Sequence, residues 1–351
     1  MFFMAALAAA TTSLTSCSSD DETSAQSPSE AKNAKIEFAV NGKNATRATP
    51  TTAANYLTQI PSFKVWGYIS SGTNSGTYYL GEEGANGVLI NGDGQGSWSY
   101  ADKTKVAYWA GETPISFYAV TPAENDNYAF ASGNLTYTIP TDQSQQVDLM
   151  IAKAADQTVS TNAGVVALNF EHALSLISFA AKTRNDLTEV EIESITVHNV
   201  NSVYATSLYS QGAFANAAYE NYAVGLSSAV TANGTSAVSA TDANGVLMLA
   251  PQTLTGWADN TTTEAADQNH QSYLEITCKI KIAGSYLVGS ETTYGKTYVA
   301  FPATWEAGKK YVYTLVFGGG KKADGTSQLT PITFNVSVSD WGRSTDSDVS
   351  L

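Results

Sequence analysis

The chain has 351 residues, of which 43% are hydrophobic, 11% aromatic and only 14% charged, and its formal net charge is −14. That length allows about two domains at the usual ~100–200 residues each. An acidic chain without a Lys/Arg cluster excludes a nucleic-acid binder, which needs a basic face to displace counterions from phosphate.

Residues 1–17 read MFFMAALAAATTSLTSC, with an apolar stretch from Met1 to Ala10. It falls short of the ~20 residues that span a bilayer and suits the apolar region of a signal peptide. The first basic residue is Lys32, which puts the expected basic start upstream of Met1. Leu14-Thr15-Ser16-Cys17 resembles a bacterial lipobox, whose cysteine is acylated and becomes the new N-terminus. Acyl chains at ~0.8 kcal/mol per buried methylene would then hold the protein on a membrane. The alternative is a chance cysteine behind a secretory signal. Residues 18–34 are polar and partly acidic, as expected of a tether.

Strand signals begin at Lys35, where Ile36, Phe38 and Val40 alternate with polar residues before an Asn-Gly turn. Residues 44–61 have no period and read as a loop. Alternation resumes at 62–69, with Phe63, Val65, Gly67 and Ile69 on one face and Trp66 and Tyr68 on the other. Residues 105–111 and 113–122 read as a strand pair with a tight turn, and 135–140 and 147–154 complete a first block. In 163–183 we expect two strands with a corner near His172, although the middle of the segment has a helical look. Further strands are expected within 189–200, 245–254, 272–284, 297–318 and 331–341. Many short strands with turn residues between them predict an all-β chain of sandwiches.

Little in the chain points to chemistry. His172, His198 and His270 lack metal-ligand spacing, so no metal or cofactor is expected. Asp93 in NGDGQGS supplies only one of the carboxylates that a calcium loop needs. His172, flanked by Phe170, Leu174 and Leu176, reads as a packed, hydrogen-bonded structural histidine. Cys278 shares the apolar face of 274–282 with Leu274, Ile276, Ile280 and Ile282, and reads as a core residue without a disulfide partner. Tyr78, Tyr79, Tyr219 and Tyr222 read as exposed aromatics, either plain surface or platforms for sugar rings. A glycan-capturing surface lipoprotein and a secreted hydrolase are therefore competing classes, but nothing singles out a carboxylate pair for the latter.

The lipobox, the tether with one strand, ATRAT (45–49), FKVWGYI (63–69), DLMIA (148–152), LNFEHALSLISFAA (168–181), LAPQTL (249–254), GKKYVYTLVF (308–317) and ITFNVSVSDW (332–341) occur in an order that resembles the fimbrillin family of Gram-negative anaerobes. The resemblance implies two transthyretin-like, Greek-key β-sandwiches in tandem, at 48–160 and 161–351, behind a signal peptide (1–17) and a propeptide (18–47). It implies a stalk, tip or anchor subunit of a fimbria at the outer membrane, anchored through Cys17 and without enzymatic activity. Its implied partners are other pilin subunits, an Arg-specific protease and host or bacterial surface ligands. The matching protease bond is Arg47–Ala48. Removing the strand around Ile36, Phe38 and Val40 would open an apolar groove and unpair sheet edges, a template for another chain. The candidate donor within 331–351 carries Ile332, Phe334, Val336 and Val338, and its exchange between copies would make a filament.

Overall fold

The computed structural model describes residues 34–41, 60–84, 86–131, 133–207, 217–258, 261–318, 322–326 and 332–341. In chain order the first strands are β1 Glu37–Asn41, β2 Ser62–Ile69, β3 Tyr78–Leu80, β4 Val88–Gly92, β5 Trp98–Tyr100, β6 Ile115–Thr121, β7 Tyr128–Ala131 and β8 Asn134–Thr138. They are followed by β9 Met150–Gln157, the single turn α1 Val159–Asn162, β10 Val165–His172, β11 Ser175–Thr183, β12 Thr188–Asn201 and β13 Val203–Ser207. Next come β14 Tyr219–Ala223, β15 Val230–Ala232, β16 Val238–Ser239, β17 Leu247–Leu249, β18 Thr253–Leu254 and the short helix α2 Thr263–Gln268. The last strands are β19 Tyr273–Ile282, β20 Ser285–Val288, β21 Gly295–Ala300, β22 Ala303–Thr304, β23 Lys309–Phe317 and β24 Thr333–Asp340. The expected all-β class holds.

The largest sheet runs β1-β10-β9-β6-β2-β4-β5, with β3 also on β2. Its central strands β2 and β6 are largely covered on both faces, whereas β10, nearer the edge, alternates buried and exposed residues. Phe63 and Val65 of β2 and Phe117 and Ala119 of β6 join one apolar cluster. Trp66, Tyr68, Tyr118 and Val120, the alternate residues of the same strands, join another. The second cluster continues into two further sheets, β16-β11-β23-β24 and β14-β12-β19-β20. There β19 shows the pattern that a half-buried strand requires: Leu274, Ile276, Cys278 and Ile280 are buried, whereas Glu275, Thr277, Lys279 and Lys281 are not. A small sheet, β13-β8-β7, joins residues from distant parts of the chain, with Val203–Ser207 antiparallel to Asn134–Thr138.

Two expectations need correction. Residues 105–111 are not a strand. Asp102 accepts the amide of Thr104 and caps a 3-10 turn over Lys103–Lys105, after which only Tyr108 makes a bridge, to Lys35. Trp109 is drawn into the core, where its Nε1 donates to the Gly164 carbonyl at 3.3 Å. The second correction concerns β10, which was expected at the start of the second sandwich but hydrogen-bonds in the first sheet, parallel to β1 and antiparallel to β9. The chain leaves that sheet at the corner after His172. β11 then pairs in parallel with β23, so the two expected strands and their corner are present.

Candidate functional site

β1 lies at the edge of the large sheet, parallel to β10 from Glu37 opposite Val165 to Asn41 opposite Asn169. Its inward residues are almost fully sequestered: Ile36, Phe38 and Val40 are 0%, 5% and 5% exposed. Phe38 sits among Phe63, Tyr100 and Phe117, with ring centroids at 6.1, 6.1 and 5.6 Å. The Phe117 ring stands edge-on to it, the geometry that aromatic quadrupoles favour. Val166, Leu168 and Phe170 complete the apolar wall.

The start of the strand is held by backbone bonds on two sides. The Ile36 amide donates to Ala107 O at 2.9 Å, and the Trp109 amide donates to Ala34 O at 2.9 Å. Glu37 N donates to Gly164 O at 3.0 Å, and the Tyr100 hydroxyl donates to Ile36 O at 2.9 Å. Gly164 has φ +92°, a left-handed conformation that suits glycine. From Phe38 onward, the only described backbone ladder is the one with β10. The seat is thus an apolar groove closed by one short strand. Tyr100, Trp109 and Gly164 help to build it, and sequence reasoning did not single them out. No local signal could have done so, because their partner lies far away in the chain.

β24, which carries the candidate donor residues, is the edge strand of its own sheet, antiparallel to β23. Ile332 is buried, and Phe334 packs on Phe301 and Tyr313 at 5.4 and 5.6 Å. Val336 and Val338 lie on that same face yet are 48% and 53% exposed. At its far end Lys309 pairs with Asp340 at 2.5 Å. Trp341 stacks on His172 with ring centroids 4.2 Å apart. Cys17, Arg47 and Ala48 lie outside the described residues.

His172 is buried and donates through Nδ1 to Asp148 Oδ1 at 2.8 Å, the packed structural arrangement expected. His198 stacks on Tyr273 at 4.4 Å, and His270 on Tyr219 at 3.9 Å, so the three rings are dispersed. Asp93 accepts the amides of Gln95 and Ser97 and closes a turn. Cys278 is buried on the inward face of β19. Of the four tyrosines expected to be exposed, only Tyr219 is. Tyr222 is fully buried because it is the inward residue of β14 opposite Val197, and its hydroxyl donates to Ile139 O at 3.0 Å. Tyr78 leans on Tyr68, and Tyr79 donates to the Tyr108 carbonyl.

A sequence model of a family described as fimbrillin-like matches residues 46–341. No curated protein matches the chain. A solved fimbrial protein of Bacteroides vulgatus is similar with a TM-score of 0.57 at 17% identity, over 88% of this chain and 100% of its own. A solved fimbrilin of Porphyromonas gingivalis is similar with a TM-score of 0.46 at 13% identity, over 88% of this chain and 98% of its own.

Proposed function

This chain belongs to the fimbrillin-like family, and from that premise we propose that it is a structural subunit of a cell-surface fimbria, assembled by exchange of the strand in the β1 groove. The observation that carries the reading is the seat of β1, a short strand laddered on one side with three apolar side chains sunk in a groove. Burying each of these side chains stabilises the precursor by about 1.5–3 kcal/mol, so an intact chain keeps its own groove filled.

Cleavage at Arg47–Ala48 leaves those contacts untouched and removes only the covalent tether. A tethered strand rebinds at a high effective concentration, whereas a severed one is diluted away. The vacated groove then exposes apolar surface and an unpaired strand edge, which a strand from another copy can fill. β24 suits that part because its apolar face is only half covered where it lies now. Passing one strand from each copy to the next gives a head-to-tail contact that does not close, and so a filament. An acylated Cys17 would hold the precursor on the outer membrane until cleavage. The partners on this reading are other pilin subunits, an Arg-specific protease and surface ligands.

Arg47→Ala and wild-type chains, treated with the same Arg-specific protease, test this on a semi-native gel. Wild type should give a ladder of oligomers and Arg47→Ala should remain monomeric. Equal ladders would remove strand release at this bond as the trigger. A second reading, a surface lipoprotein that captures glycans, is favoured by an open cleft of about 880 Å³ whose lining includes Tyr79, Asn86, Asp102, Lys105 and Tyr108. It requires saturable binding of soluble polysaccharide by the uncleaved monomer.

A further inference from the structure

On the reading that another copy fills the vacated groove, we infer that residues 332–336 enter it in one register, with Ile332 at the seat of Ile36, Phe334 at that of Phe38 and Val336 at that of Val40. The two strands carry the same apolar order. Ile36-Glu37-Phe38-Ala39-Val40 and Ile332-Thr333-Phe334-Asn335-Val336 are both Ile-x-Phe-x-Val. Their outward positions also match in character: Glu37 is exposed and Ala39 half-buried, and Thr333 and Asn335 are both exposed. In its present place the second triplet is incompletely buried, with Phe334 half-buried and Val336 48% exposed. The groove would sequester all three residues, as it does the first triplet.

Backbone and side chains select this register independently. A slip of one residue turns every apolar side chain to solvent. A slip of two in one direction sets Pro331 at the place of Glu37, whose amide donates to Gly164 O at 3.0 Å. Proline has no amide hydrogen and forfeits that bond. In the inferred register Pro331 falls at the place of Lys35. There the flanking bonds use Ile36 N and Ala34 O, and the Lys35 amide has no acceptor among the described residues. The proline therefore loses nothing at that position. A slip of two in the other direction forces Phe334 into the fully buried seat of Ile36 and leaves Val336 in the ring-lined seat of Phe38. One seat is then overfilled and the other left with a cavity.

In this register the incoming strand runs parallel to β10 of the receiving copy, with Asn335 where Ala39 lies now, opposite Ala167. Ala167, Thr333, Asn335 and Ser337 are all exposed, so cysteines there leave the core untouched. Full chains carrying Ala167→Cys are mixed in turn with chains carrying Thr333→Cys, Asn335→Cys or Ser337→Cys. Each mixture is treated with an Arg-specific protease, oxidised with copper phenanthroline and run on a non-reducing denaturing gel. Cys17 departs with the cleaved segment and Cys278 is buried, which leaves the introduced thiols to react. The Asn335→Cys mixture should give several-fold more covalent dimer than the other two. A strongest crosslink at Thr333→Cys or Ser337→Cys overturns the register. Oligomers with no crosslink in any mixture overturn this strand as the occupant. Absence of oligomers from every sample, wild type included, removes the polymerisation reading itself and the inference with it.

Discussion

Cys278 faces inward from β19 opposite Ile192, and burial pushes its thiol up to about 12. At neutral pH the thiolate is both scarce and shielded. Mass spectrometry should therefore find slow labelling of the native chain by a thiol reagent and rapid labelling in denaturant. Equal rates would mean that this face of β19 is open. His198 makes a pH prediction. Burial holds its imidazole below the ordinary histidine value and outweighs the opposing pull of Glu275, whose Oε2 lies 4.0 Å from Nε2. The unfolded chain then takes up the proton more readily, so stability is full above the unfolded value and declines as pH falls through it. His198→Gln should flatten the pH dependence of the urea midpoint between about pH 5 and 7. Gly225 and Gly245 make a steric one. A side chain on Gly245 would lie 2.1 Å from the Gly225 carbonyl oxygen. Gly245→Ala should cost about 1–3 kcal/mol in denaturant unfolding, as forced overpacking does; an unchanged midpoint would mean that the two backbones part easily.

Among the elements, β1 is the one whose removal changes the molecule most selectively. With Ile36 just before it, it contributes three apolar side chains to one cluster, yet its ladder runs to a single neighbour. A chain lacking residues 1–47 should bind an apolar-surface dye more strongly than the uncut chain, because the groove lined by Phe63, Phe117 and Phe170 is open. A peptide of residues 34–42 added in trans should reverse most of that signal. The same peptide with Phe38→Ala should do so poorly, since truncating a buried phenyl ring costs about 3–5 kcal/mol. If both peptides act alike, the groove does not read the central ring. The segment at 105–111 belongs to this scale as well. It alternates well enough to look like a strand, but Ala107 and Trp109 bond through their backbone to Ile36 and Ala34, so it serves as the second wall of the β1 seat.

At the scale of the whole molecule, β2 and β6 send alternate residues into two apolar clusters. β13 ties residues past 200 to β8 in the first half of the chain. Neither cluster can come apart without uncovering a face of the shared sheet. Thermal unfolding followed by near- and far-ultraviolet circular dichroism should therefore show one coincident transition. Two separated transitions would mean that the clusters are energetically independent.

Where a side chain points depends on local backbone geometry, so the period-two pattern alone determined much of the fold. The alternation of β1, β10 and β19, the inward placement of Cys278 and the corner after His172 were all legible in it. So was the matching apolar order of the segments that begin at Ile36 and Ile332. Which strands become neighbours was decided only in three dimensions. Nothing in Val203–Ser207 names Asn134–Thr138 as its partner, and nothing near Trp109 names Ala34. Pairing is a long-range choice made by how well whole faces fit. Burial was settled at the same level. Tyr222 is covered and Val336 is not, although both belong to strands, because the first joins the main apolar cluster and the second lies on the edge strand of its sheet.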